Sequence, residues 1–240
     1  HLALVRNVPP GIGVVGFMSD PFAREPGQLS IDIWSDVVCP FCYMGETILS
    51  EALENFEHRD SVVVRYHSYQ LMPELSADEP VDLVDLLSQS KGLTPEQVIG
   101  MQEQLVARGT DLGIDYRFDQ TQTINTRAAH RLTHFAQREG KQWALVQRLF
   151  RAYFTDGLNI GDYQVLARLS AEVGLDPAEA IAVLDADGYA ADVDVDIALA
   201  QQIGIGGVPF FVFNGKFAVS GAQLVEAFDE VLRQAWSDEG

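Results

Sequence analysis

Cys39-Pro40-Phe41-Cys42 holds both cysteines of the chain within four residues. Two thiols at this spacing can close a short disulfide, so the pair can pass two electrons as dithiol or disulfide. An apolar–polar alternating run ends just before the pair and a helical pattern begins just after it, which places the pair at a strand-to-helix turn. There the two sulfurs are not equivalent. The unpaired N–H groups and positive dipole end at a helix N-terminus stabilise a thiolate, which predicts Cys39 as the nucleophile and the more exposed thiol. Cys42, one turn further in, is then placed to attack the resulting mixed disulfide and release the partner in reduced form. Pro40 suits an early helical position, where its missing N–H would have no partner anyway.

Other chemistries at these residues need weighing. A zinc site usually takes four nitrogen or sulfur ligands, and the chain has no second cysteine pair. His130 and His134 have helical spacing but would have to come from a distant segment, so no metal is assigned. A buried, inert cysteine pair is the blander alternative. Against it stands the gathering of the whole cysteine complement at one such turn.

The elements that must position the pair can be read outward from it. Residues 30–34 (SIDIW) alternate as a strand, and in 43–57 Ile48, Ala52, Leu53 and Phe56 form one helical stripe. Residues 61–69 are rich in β-branched and aromatic types and predict a second strand. From about 73 to 80 loop formers take over, and nearly everything onward to Gly204 has helical periodicity. Thr94-Pro95-Glu96-Gln97 carries an N-cap, a first-turn proline and a capping-box glutamine, opening a helix that should end near Gly109. Trp143, Val146, Phe150 and Tyr153 share a face, as do Val193, Ile197 and Ala200, and Asp176-Pro177 opens another short helix. Residues 208–219 predict a hairpin whose Asn214-Gly215 pair suits a turn with φ > 0 at both positions. Leu224, Phe228, Val231 and Leu232 then mark a closing amphipathic helix.

Composition limits what such a scaffold can bind. Hydrophobic residues make up 47% of the 240, which excludes a disordered chain. Thirty-five acidic against 16 basic residues give a net charge of −19, so nucleic acid and anionic membrane surfaces are repelled. No apolar run is long enough to cross a bilayer. Residues 1–17 are apolar but broken by Pro9-Pro10-Gly11, lack a small-x-small cleavage site and read as an expression remnant ahead of Met18. That reading implies a chain without an export signal, in a reducing cytoplasm where disulfides are seldom structural.

The order strand, CxxC, helix, strand, then Val-Pro, hairpin and helix resembles a thioredoxin fold, an α/β class, here with a large all-helical insertion. With the long insertion, the segments IDIWSDVVCPFCYMG, NTRAAHRL at 125–132 and GVPFFVFNGKFAVSGAQ are similar to the DsbA-like family, in its FrnE-type, mostly cytoplasmic branch. The likeness covers about 30–236 and implies a thioredoxin-like unit of 30–73 and 206–237, an insertion of 74–205 and an N-terminal linker of 18–29. It also implies a thiol-disulfide oxidoreductase with no bound cofactor, acting on protein or small-molecule disulfides and thiols. Val208-Pro209 would be cis and face the disulfide, with the Val208 backbone pairing with an extended substrate. Pro40 and Phe41 would border the site, and Asn125 and His130 would line a groove above it. His130 and His134 could equally be solvated or capped helix positions.

The Pro-Phe dipeptide lacks the histidine of strongly oxidising relatives, which implies a milder potential and a disulfide reductase or isomerase. Related glutathione transferases and isomerases carry Ser in place of Cys39 and use a Ser-Asp pair after the hairpin. Here Ser220 remains without the Asp, so glutathione as ligand or redox partner stays open. A glutathione-dependent isomerase or transferase is one alternative function, and a non-enzymatic redox-sensing module is another.

Overall fold

The computed structural model describes residues 5–6 and 22–238. In chain order the elements are β1 (Val5–Arg6), β2 (Leu29–Ser35), α1 (Pro40–Asn55) and β3 (Val62–Ser68). The helices α2 (Leu83–Lys91), α3 (Pro95–Asp111), α4 (Arg127–Arg138), α5 (Gln142–Phe154), α6 (Tyr163–Glu172), α7 (Pro177–Asp185) and α8 (Ala190–Gln202) follow. The chain closes with β4 (Phe210–Phe213), β5 (Phe217–Ser220) and α9 (Val225–Ser237). One mixed sheet runs in the order β1-β5-β4-β2-β3. Strands β2 and β3 are parallel, which requires the crossover that α1 provides, and the remaining pairs are antiparallel. This is a thioredoxin-like α/β fold with a run of helices between β3 and β4.

The reading of residues 1–17 lies outside the described residues except at β1, where the Val5 and Arg6 backbones pair with Ala218 and Phe217. Residues 18–21 of the linker lie outside them too. The Thr94 box forms as predicted: Gln97 N–H donates to Thr94 Oγ1 at 3.3 Å and Thr94 N–H to Gln97 Oε1 at 2.9 Å. In the hairpin, Asn214 and Gly215 have φ of 51° and 66°. Lys216 N–H closes the turn on Phe213 C=O at 2.9 Å, and Phe213 pairs with Phe217, so the loop is one residue longer than a two-residue turn. Phe228, Val231 and Leu232 of α9 are buried, with the Phe228 ring edge-on to Phe211 at 4.9 Å. Leu224 does not join that stripe. It is the N-cap, ahead of the helix whose period would turn it inward, and is 73% exposed.

Strand β2 departs from the half-buried pattern that its alternation predicts, because every residue in it is buried. Leu29, Ile31 and Ile33 join the main core with α1 and α9. On the opposite face Trp34 packs with Val212 and with Ala200 and Ile205, from α8 and the loop after it. Asp32 is therefore fully buried, and Arg65 answers it with two bonds, Nε–Oδ1 at 2.8 Å and Nη2–Oδ2 at 3.0 Å.

His67 links that pair to α8, its Nε2 lying 2.9 Å from Asp32 Oδ1 and its Nδ1 2.7 Å from Asp196 Oδ1. Asp196 also accepts from Ser68 N–H at 2.7 Å and lies 2.9 Å from His134 Nε2. The Trp34 ring stacks on His67 at 4.4 Å and its Nε1–H donates to Asp196 C=O. Burial alone would push His67 down, but the hydrogen bonds and charges of Asp196 and Asp32 hold it up at about 9. These contacts fasten α4 and α8 to the sheet. Deeper in the helical run, buried Arg131 donates to the carbonyls of Val183, Leu184 and Gly188, which satisfies the C-terminal end of α7.

Candidate active site

Cys39 is the N-cap of α1, with φ −89° and ψ 115°, and its side chain makes no capping bond. Its N–H donates to Asp36 C=O at 3.0 Å, and its own C=O accepts from the N–H groups of Cys42 and Tyr43 at 3.0 and 3.2 Å. The sulfur turns instead to the hairpin, where Sγ lies 3.7 Å from Val208 C=O. The Val208-Pro209 bond is cis, and Pro209 is buried with its C=O accepting from Gly221 N–H at 2.8 Å. Gly45 makes this approach feasible, since a Cβ there would lie 3.0 Å from both Pro209 Cγ and Phe211 Cζ. The topology thus brings Cys39, Pro40, Cys42, Val208 and Pro209 to one place.

Both cysteines are free thiols. Cys39 is 4% and Cys42 2% exposed, so the expected contrast in exposure is replaced by burial of both. The Val208 carbonyl covers Cys39, and the exposed member of the turn is Phe41, at 43%. The asymmetry lies in surroundings. Burial pushes the Cys42 thiol well up, the hydrogen bond and charge of Cys39 add to this, and the Asp36 backbone and Ser35 hydroxyl offset part of it. Tyr66 OH is buried with no hydrogen-bond partner, and its own proton is held by burial and by the charges of Glu46 and Cys42.

Two residues at the site escaped sequence reasoning. Asp36 is fully buried, accepts from Leu71 N–H at 2.8 Å and meets His130 Nε2 at 3.1 Å. Tyr116, in the loop after α3, donates from its OH to Pro40 C=O at 2.6 Å and so grips the CxxC turn from the helical side. Burial and the nearby Cys39 raise its phenol far above the ordinary value. Gly109 of α3 makes room for it, because a Cβ there would overlap the Tyr116 ring. The signal for Tyr116 was its place between Ile114 and Phe118, apolar at every second residue.

Comparison with known proteins now bears on this arrangement. Residues 30–233 match the family model of the DSBA-like thioredoxin domain. The chain belongs to that family. It is 36% identical to the probable DsbA oxidoreductase of Streptomyces coelicolor, whose crystal structure superposes with a TM-score of 0.83 over 88% of this chain and 91% of that one. It is 29% identical over 206 residues to the uncharacterized protein YwbO of Bacillus subtilis (strain 168), covering 84% of this chain and 94% of YwbO. The cytosolic disulfide reductase DsbM of Pseudomonas aeruginosa shares the fold at 19% identity and a TM-score of 0.62, over 85% and 98% of the two chains. The dithiol is accordingly that of a DsbA-like thiol-disulfide oxidoreductase.

Within this DsbA-like site the remaining expected residues fall differently. His130 is 4% exposed and bound to Asp36, so it stands behind the CxxC turn rather than on a groove wall. His134 is bound to Asp196, which replaces the solvated alternative for both histidines. Asn125 Nδ2 donates to the carbonyls of Pro73 and Leu75, and its Oδ1 accepts from Gln70 and from Arg127 N–H. Its amide is fully used in holding the loop after β3, which leaves it no free group for a substrate. Ser220 is exposed at the end of β5, and Phe41 is exposed beside Cys39. Among the described residues no group of His, Cys, Asp and Glu is arranged to hold a metal, and no helix is long and apolar enough to cross a membrane.

Proposed function

We propose that the chain is a cytoplasmic disulfide reductase or isomerase of the FrnE-type branch, working through the Cys39-Pro40-Phe41-Cys42 dithiol. Cys39, as thiolate, attacks a substrate disulfide; one substrate sulfur leaves as a thiol and the other is bound to Cys39. Cys42 then gives up its proton and attacks Cys39 Sγ, closing the protein disulfide and releasing the second substrate thiol. Two electrons pass from protein to substrate, and a small thiol such as glutathione returns them. The observation that carries this reading is the placing of Cys39 at an N-cap against the Val208 carbonyl, with Cys42 deeper and its proton tightly held. Val208 and Pro209 present the substrate strand, and Pro40 and Phe41 border it.

A more reducing potential than that of a strong oxidase is expected, because Pro-Phe supplies no cation to stabilise the reduced form. Equilibration with a glutathione redox buffer, with free thiols trapped and counted, tests this. A value near about −120 mV, typical of a strong periplasmic oxidase, would overturn the direction assigned here.

A further inference from the structure

We propose that Arg108 reads a carboxylate on a low-molecular-weight disulfide docked at Cys39, so that the site favours anionic small disulfides over neutral or cationic ones. The inference rests on the reading of the dithiol as a reductant of disulfides. Acidic residues outnumber basic ones by more than two to one, and most arginines are taken by carboxylates. Arg117 pairs with Asp115, Arg127 with Asp194, Arg148 with Glu172, and Arg233 with Glu230. Arg108 is exposed, has no carboxylate partner among the described residues, and makes one bond, from Nη2 to Ala222 C=O at 2.6 Å.

Direct contacts lead from that bond to the dithiol. Ala222 follows Gly221, whose N–H holds Pro209 C=O, and Val208 next to Pro209 receives the Cys39 sulfur. On the other side the neighbouring Gly109 seats Tyr116, whose OH holds Pro40 C=O. Arg108 thus bonds the turn that holds Pro209 C=O, and it is next in the chain to the glycine that seats Tyr116 against Pro40. A guanidinium carries five N–H donors in a planar fork, and one bond to Ala222 leaves donors free while fixing the group's place. Fixing it in advance lowers the ordering cost of binding. The net charge of −19 repels anions at range, but salt screens that field beyond about 8–10 Å, so a docked substrate feels mainly the contact cation.

The alternative is that Arg108 only struts α3 against the turn after β5. A strut would support every substrate alike, whereas a carboxylate reader separates them by charge. The full chain carrying Cys42→Ala, reduced, is mixed with oxidised glutathione (anionic), bis(2-hydroxyethyl) disulfide (neutral) or cystamine (cationic), and mixed-disulfide formation is timed by intact mass. Arg108→Gln should lower the glutathione-to-hydroxyethyl rate ratio about tenfold, as expected for losing a charge-assisted bond at an exposed site. Arg108→Glu should lower it further while raising the cystamine ratio, and Arg108→Lys should recover part of the loss. Equal slowing of all three probes in Arg108→Gln, or no change in the ratio, overturns the proposal; comparing urea midpoints shows whether equal slowing comes with loss of fold. Failure of the parent to react with any probe would instead defeat the reductase reading itself.

Discussion

Replacing His67 by Gln should abolish a pH dependence of stability worth about 3 kcal/mol between about pH 6.5 and 9. His67 is held at about 9 against an ordinary 6.5 by two carboxylates in a site where its side chain is 11% exposed. Below 6.5 the ring is protonated in both folded and unfolded chains, and its full contribution is present. As pH rises, the unfolded chain releases the proton while the folded chain keeps it, so stability falls until the folded ring also titrates near 9. At about 1.4 kcal/mol per tenfold, the interval between the two values gives the figure above. Asp196 does not change state in this window. Burial pushes its carboxyl up, but the hydrogen bonds and charges of His134 and His67 bring it well below the ordinary 3.8. Urea midpoints at pH 6, 7.5 and 9.5 would be compared with and without His67→Gln, both in a Cys39→Ser/Cys42→Ser background so that no thiol titrates. The parent should be much the more stable at pH 6, since the substitution removes the cation shared by two buried carboxylates, and the gap should shrink by about 3 kcal/mol at pH 9.5. A gap that stays constant across the three pH values would refute the assignment of a retained proton to His67.

Gly45→Ala should cost about 1–3 kcal/mol in urea denaturation, because the new methyl meets Pro209 and Phe211 at 3.0 Å in a filled core; an unchanged midpoint would show that α1 can shift freely. Tyr116→Phe removes the donor to Pro40 C=O and should cost about 1 kcal/mol while altering the rate at which Cys39 reacts with a model disulfide. Equal stability and equal rate would remove Tyr116 from the site. Limiting iodoacetamide near neutral pH should label Cys39 before Cys42, whose proton is held by burial; the reverse order would exchange the roles of the two thiols.

What could be read from sequence was local. The turn at Cys39, the cap at Thr94 and the reversal at Asn214-Gly215 each depend on a few adjacent residues whose backbone preferences the chain cannot escape. The contacts that escaped reading join residues far apart. Asp36 and His130 are 94 positions apart, and Tyr116 and Pro40 are 76 apart. Nothing in their neighbours specifies the partner. The alternation over 30–34 correctly sorted Ile31 and Ile33 from Ser30, Asp32 and Trp34, but alternation reports only which residues share a face. That α8 covers the second face, and so buries Asp32, is a property of the packed chain. His130 and His134 were ambiguous for the same reason, since helical spacing says nothing of the carboxylates that meet them.

The helical run and the dithiol are therefore coupled at two places. At the active-site loop Tyr116 and His130 hold the CxxC turn through Pro40 C=O and Asp36, while Arg108 holds the turn after β5 that braces Pro209. At β3, Asp196 and His134 lock α8 and α4 onto the strand through His67 and Ser68. His130 and His134 lie one helical turn apart on α4, so the helix that touches the active-site loop is the one whose seating depends on the protonated cluster. Loss of the His67 proton weakens that seating, and the first part of the dithiol's surroundings to feel it should be Asp36, through His130. Because Cys39 N–H is bonded to Asp36 C=O, a shift of that loop reaches the nucleophile itself, without any change in the residues between the two cysteines.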